Sequence, residues 1–214
     1  MMGATRDAAG ARGPQPRGRY ATGRAARERI LNAATSAFSE HGYRGASLAS
    51  IGRSIEMTQQ GVLHHFPTKT ALLLAVLEDR DRRGQRTWPR DGAFTGLDVL
   101  DAWDATVAEN VQRYGLVRLA HVLGAEATEE DHPAREYFIR HFDIGREMLR
   151  AGFRAGVESG EVREDLDHEL IIRQVLAMSE GLENQWLIDP EGVDIVACFH
   201  DYTRTLRDRL RRTH

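Results

Sequence analysis

Cysteine is almost absent from this chain of 214 residues. Cys198 stands alone, so no disulfide can form within the chain, and the expectation is a fold held by burial in a reducing cytoplasm, with Cys198 a small buried residue on the last helix. No apolar run approaches the roughly 18 residues needed to cross a bilayer. The longest, Ala71 to Leu77, reads as the buried face of a helix. Scattered arginines open the chain, but no apolar segment follows them, so a secretory signal is not expected. The signatures of common catalysis are also missing: no Gly-x-Ser-x-Gly elbow, no phosphate loop and no Gly-x-Gly-x-x-Gly turn. Nine histidines are present, yet none falls in a His-Glu-x-x-His spacing, and no paired cysteines accompany them. No metal site, no cofactor and no enzyme activity are therefore expected. An alternating strand pattern is absent too, which leaves an all-α fold.

What is present begins with a hydrophobic share of 41%, enough for a core, and a charged share of 29%, enough for a soluble surface. The net charge of −3 conceals a division. Residues 1–90 carry 15 Lys and Arg against 7 Asp and Glu, whereas 91–214 carry 14 against 25. A basic first half suits a polyanion such as DNA, and an acidic remainder keeps the other face off the phosphates.

The stretch Ser47 to Lys69, SLASIGRSIEMTQQGVLHHFPTK, gives that basic half a purpose. Leu48, Ile51 and Ile55 recur at helical spacing behind Ser47, a residue suited to cap a helix start. Glu56 and Met57 read as a turn. Thr58 then caps a second helix whose apolar positions Val62 and Phe66 lie four apart, with Met57 placed to staple onto Val62. Pro67 discourages helix at Phe66, so the second helix is short enough for a major groove. Gln59 and Gln60 in its first turn can pair with adenine edges, and Gly61 lets the backbone approach. His64 and His65 can donate to phosphates. Thr68 caps the next helix, and Lys69 reaches a phosphate.

The runs RERILNAATSAFSEHGY, GYRGASLASIGRSIEM and TQQGVLHHFPTKTALL, within a match that covers about Arg27 to Leu77, resemble the tetracycline-repressor (TetR) family of bacterial regulators. The resemblance implies DNA contacts at Ser47, Thr58, Gln59, Gln60, Gly61, His64, His65 and Lys69. It departs at Leu63, where members often carry a phosphate-contacting tyrosine; here the side chain is expected to pack. It also implies a small-molecule effector that lowers DNA affinity.

Along the chain, residues 1–22 read as a disordered basic arm, residues 23–84 as the helix-turn-helix DNA-binding domain and 85–214 as a helical domain for effector binding and dimerisation. Arg6, Arg12, Arg17 and Arg19 of the arm could follow phosphates or merely solubilise it. Helix 1 is expected from Gly23 to His41, ended by Gly42, with Arg24 and Arg27 as further phosphate candidates. A helix from Thr68 to Arg83 links the halves. Five more are expected at about 97–113, 116–129, 133–158, 167–188 and 191–211, punctuated by Gly115, Pro133, Gly160 and Pro190.

The last two helices carry more apolar positions than one core needs. Leu176, Leu182, Trp186, Val196, Phe199 and Tyr202 are the candidates for a homodimer interface, with internal core as the alternative for these faces. Such a dimer would read a pseudo-palindromic operator in double-stranded DNA. The earlier helices place Trp103, Val107, Val111, Tyr114, His121, Phe138, His141 and Phe142 inward, as a mostly apolar ligand pocket or as ordinary core. The function expected is a ligand-responsive repressor. The alternatives are a regulator controlled by a protein partner, or an all-helical enzyme.

Overall fold

A helix of seven residues has too few internal hydrogen bonds to persist in water, so short helices form where a core claims one face. That rule organises the first third of the chain. The computed structural model describes residues 17–84, 94 and 96–211, and among these the helices are α1 (Arg17–Gly45), α2 (Leu48–Ser54), α3 (Gln59–His65), α4 (Lys69–Gly84), α5 (Asp98–Val111), α6 (Tyr114–Glu126), α7 (Arg135–Ser159), α8 (His168–Ile188) and α9 (Ile195–Leu210). Helix α1 begins at Arg17, earlier than the expected Gly23, so Arg17 and Arg19 belong to a helix and not to an arm; Arg6 and Arg12 lie outside the described residues. The expected linker at 84–96 lies mostly outside them as well. The later helices fall close to their expected spans.

Two apolar cores divide the molecule. In the first, Ile30, Leu31 and Phe38 of α1 meet Ile51 of α2, Val62 and Phe66 around α3, and Leu72, Leu73 and Leu77 of α4. Packing does not stop there, because Leu119 and Leu123 of α6 and Tyr137 and Phe138 of α7 complete the same core. The second joins Val99 and Leu100 of α5, Leu149 and Phe153 of α7, Ile171 and Val175 of α8, and Phe199 and Leu206 of α9. No helix among the described residues is long and apolar enough to cross a membrane.

A polar seam lies beside the first core where α1 meets the end of α6. Gly42, with φ 67° and ψ −177°, breaks the helical geometry of α1. The Tyr43 backbone N–H donates to Glu126 Oε2 at 2.7 Å. The buried His132 ring meets Tyr43 edge-on at 5.4 Å, and its Nε2 lies 3.6 Å from the same Glu126 oxygen. Arg44 pairs with Glu129 alongside. Gly42 is required twice over, since its φ suits glycine and a Cβ there would run into the Glu126 carboxyl. Gly42→Ala should therefore lower unfolding stability by about 2 kcal/mol or more, measured by urea denaturation. An unchanged midpoint would mean that the seam adapts without cost.

Candidate nucleic-acid interface and effector cleft

The reader is built from its caps inward. Ser47, extended at φ −130° and ψ 146°, accepts the Ser50 backbone N–H on its Oγ at 3.1 Å, and its own N–H reaches Ser50 Oγ at 3.4 Å, a reciprocal capping box. After Ile55 the chain turns at Glu56, which adopts φ 58°. The Met57 N–H then donates to Gly52 O at 2.8 Å, and a Cβ on Gly52 would lie only 2.6 Å from Met57 O. Gly52 is thus a requirement of the turn that the helical spacing did not mark. Thr58 caps α3 by accepting the Gly61 N–H on its hydroxyl at 3.0 Å.

Gln59, Gln60 and His64 of α3 are exposed, while Val62 and the following Phe66 are buried. Leu63 and His65 are half-buried, and the two histidine rings meet edge-on at 5.4 Å. Gly61 also has a use within its own chain. A Cβ there would meet Met57 Cγ at 2.7 Å, so the position makes room for the staple residue of its own chain. Lys69 is held as well. Its Nζ donates to Arg44 O at 3.3 Å and lies 4.6 Å from the Tyr43 ring centroid, and partial burial lowers its pKa against the raising influence of Glu126. Thr68 accepts the Ala71 N–H at 3.0 Å and caps α4. Arg27, a phosphate candidate by position, lays its guanidinium over the Phe66 ring at 4.3 Å.

Below the reader, α4, α5, α6, α7 and α8 surround a cleft of about 970 Å³, its open mouth included. Of the expected pocket residues, Trp103, His141 and Phe142 line it. The others do not. Val107 is buried in the second core and Val111 packs on it, whereas Phe138 belongs to the first core against Tyr137. Tyr114 is partly exposed, edge-on to Trp186, with its hydroxyl donating to Leu187 O at 3.2 Å. His121 stands behind the wall, 3.1 Å from Glu183. The stripe of α5 that faces the cleft is Trp103, Thr106 and Asn110, and the apolar stripe through Val107 faces the core instead.

The cleft is consequently more polar than expected, with Arg80 and Asp81 of α4, Arg113 after α5, and Ser179, Glu180 and Glu183 of α8 in its walls. Apolar periodicity could not mark them, but two glutamates inside the apolar run of α8 were a usable signal. Tyr137 donates its hydroxyl to Asp81 Oδ1 at 2.6 Å, and Arg80 Nη1 donates to the Tyr137 oxygen at 3.3 Å. Burial raises the Tyr137 pKa. Asn110 Nδ2 donates to Glu183 Oε1 at 2.7 Å. Among the described residues no group of three or more His, Cys, Asp or Glu side chains is placed to hold a metal ion.

The α8 and α9 positions sort by exposure. Phe199 and Trp186 are buried in their own protomer, and Leu182 and Tyr202 pack against the same core. Leu176 lines the cleft. Only Val196 of the six expected interface residues is exposed, at 40%. The apolar surface that remains is a neighbouring stripe, Ala177, Met178, Gly181 and Ile188 of α8, with Val196 and Ala197 of α9. The aromatic side chains Trp186 and Phe199 were claimed by the core, which left a stripe of small and aliphatic side chains outside. Cys198 of α9 is exposed and not buried as expected.

His141 gives the cleft a pH signature. Burial, then the adjacent Arg80 charge, pushes its pKa down to about 3, against a weaker raising influence of Glu183. In the unfolded chain the imidazole titrates near 6.5, so below that pH the unfolded state takes up a proton that the native state refuses. Stability is lost as pH falls from about 6.5 toward 3. Full burial would give a loss of about 2 kcal/mol between pH 7.5 and 5. The side chain retains 32% exposure, which reduces the expected loss to about 1 kcal/mol. Urea unfolding of wild type and His141→Gln at both pH values checks this: the variant should be less pH-sensitive by that amount, and equal sensitivity would mean that the imidazole is hydrated.

The comparisons agree with this geometry. Residues 30–76 match the family of bacterial regulatory proteins designated tetR. The chain is 29% identical over 171 residues to the HTH-type transcriptional regulator UidR of Escherichia coli K12, covering 79% of this chain and 83% of UidR. A TetR transcriptional regulator from Chloroflexus aurantiacus superposes with a TM-score of 0.75 at 20% identity, over 90% of this chain and all of that one. SmeT, the repressor of a Stenotrophomonas maltophilia efflux pump, in its complex with triclosan, gives a TM-score of 0.68 at 22% identity, over 85% and 91% of the two chains. Held together by its caps, its turn glycine and its bracing helices, the reader at residues 30–76 matches the tetR family of bacterial regulatory proteins, and the chain as a whole is similar to transcriptional regulators of that family.

Proposed function

We propose that the protein is a homodimeric repressor that reads a pseudo-palindromic operator through α3 and is released by a small molecule bound in the cleft. The observation that carries the reading is the division of α3 itself. Val62 is fully buried, whereas Gln59, Gln60 and His64 are exposed on a helix capped at its start and anchored by Phe66. Gln59 and Gln60 read base edges. Ser47, Thr58, His64, His65 and Lys69 contact phosphates and set the register, and Gly61 serves the staple that holds the helix. Residues 17–84 form the DNA-binding part and the helices after it bind effector and pair the protomers, in the cytoplasm. Against control by a protein partner stands the cleft, which sets an apolar wall beside a few convergent polar groups, as small-molecule sites do. SmeT, with its bound triclosan, is a precedent for this in a chain of the same fold.

The effector acts through α4, which carries Lys69 at the reader and Arg80 and Asp81 at the cleft. A coupling of about 1–3 kcal/mol would change operator affinity about 5–150-fold. Selection of bound sequences from a random duplex library should recover one inverted repeat. Gln59→Ala with Gln60→Ala should then reduce discrimination between that repeat and single-base variants by about 1–3 kcal/mol per contacted base. Intact discrimination in the double variant would remove α3 as the base reader.

Pairing uses the exposed stripe of α8 and α9. Wild-type protein at micromolar concentration should scatter light with twice the chain mass of 24.0 kDa. Gly181→Arg, at an open position where an added Cβ meets nothing within 4 Å, should give a folded monomer that loses tight operator binding. A variant that stays dimeric would place the interface elsewhere.

A further inference from the structure

The composition of the cleft narrows the chemistry of what it takes. Glu180 and Glu183 lie three residues apart on α8 and stand on one wall. The basic side chains near them, among the described residues, are already engaged. Arg80 is paired with Asp81 at 3.4 Å and bonded to Tyr137, Arg113 is paired with Glu109 at 2.8 Å, and His121 meets Glu183 at 3.1 Å. His141 in the adjoining wall stays neutral. Among the described residues no hydrogen bond or ion pair reaches Glu180, although it is only partly exposed. Carboxylates in the walls thus outnumber guanidinium groups, and among the described residues Glu180 has no hydrogen-bond or ion-pair partner. Trp103, Phe142, Ile144 and Leu176 supply an apolar wall that includes two aromatic rings, whose faces attract a cation.

We infer that the cleft takes an organic cation, a protonated amine on an apolar or aromatic body, with the ammonium at Glu180 and Glu183 and the body against Trp103 and Phe142. The inference rests on the effector reading above and names the class of that effector. An ammonium supplies the donor that Glu180 lacks among the described residues, and such charge-assisted bonds are the strong ones. A carboxylate ligand would meet charge of its own sign, and a neutral alcohol would leave the excess acid uncompensated. Burial and the neighbouring Glu183 raise the Glu180 pKa, opposed by His121 of α6 and Arg80 of α4. Asn110 of α5 and His141 of α7 add no cation to this set. An ammonium favours the ionised form of Glu180, so its affinity rises with pH as Glu180 ionises while that of a neutral analogue stays flat.

Three probes of matched shape test the class on the full-length protein: 2-phenylethylammonium, 2-phenylethanol and 3-phenylpropionate, titrated at fixed ionic strength and followed by tryptophan fluorescence. Operator release by each is followed by anisotropy of a labelled duplex. The ammonium should bind at least about tenfold more tightly than the other two, and Glu180→Gln should abolish most of that preference. Equal or tighter binding of the alcohol or the carboxylate overturns the inference, as does saturable binding by none of the three at millimolar concentration, or an undiminished preference in Glu180→Gln. The wild-type ratio decides the matter if the variant fails to fold. Operator release by the alcohol or carboxylate would uphold the effector reading while overturning the cation. Preferential ammonium binding with the operator still held would uphold the cation site and overturn release as its consequence.

Discussion

Helices α2 and α3 are each seven residues long, and helices of that length are marginal in isolation. What fixes them is the burial of a few side chains, Ile51, Val62 and Phe66, against α1 and α4. Each fully buried aliphatic or aromatic side chain contributes about 1.5–3 kcal/mol, and each cap about 1 kcal/mol, so the core outweighs the caps in holding the reader. The caps decide something else: where each helix begins, and hence which side chains face outward. Ser47 and Thr58 do this with hydroxyls bonded to backbone N–H groups three residues on. The exposed polar row on α3 is the residue of that arrangement.

The same core reaches beyond the reader. Leu119 and Leu123 of α6 and Tyr137 and Phe138 of α7 belong to it, so the DNA-binding helices and the cleft helices share side chains and not merely a hinge. At the seam Glu126 receives the Tyr43 N–H, Tyr43 shares a hydrogen bond with Thr70 at 2.8 Å, and Lys69 lies over the Tyr43 ring. The start of α4 is thereby tied to the end of α1 and, through Glu126, to α6. A close-packed region of this kind resists gradual deformation and moves between discrete arrangements.

Much of the fold was legible because helices declare themselves by period and punctuation. Ser47, Thr58 and Gly42 marked their boundaries, and the later helices fell near their expected spans. The cleft was not legible for the same reason. Periodicity selects apolar positions, and in α5 those belong to the core through Val107, while the stripe facing the cleft is the more polar one through Thr106 and Asn110. The residues expected at a homodimer interface sort in a related way. Large residues such as Trp186 and Phe199 look like interface but are what a protomer buries first, leaving Ala177, Gly181 and Ala197 outside. Glycine roles depend on tertiary neighbours too, as Gly61 beside Met57 and Gly52 beside the turn illustrate.

Coupling between cleft and reader has a physical requirement that α4 can meet. A ligand shifts an equilibrium only if it contacts the two states differently. Eleven residues of helix separate Lys69 from Arg80, a rise of about 16 Å. Between them Leu72, Leu73, Val76 and Leu77 are all buried, so the segment behaves as a rod and not as a chain of independent turns. At its far end Asp81 is shared by Tyr137, Arg80 and His141, three groups from two helices meeting one carboxylate. A ligand that offers the cleft a new charge must re-divide these contacts, because none of the three can be left buried without a partner at small cost. Re-division would move the end of α4 relative to α7. With α4 acting as a rod whose start is tied through Thr70 to Tyr43 and through Lys69 to Arg44, such a displacement would carry to the end of α1 that braces the reader.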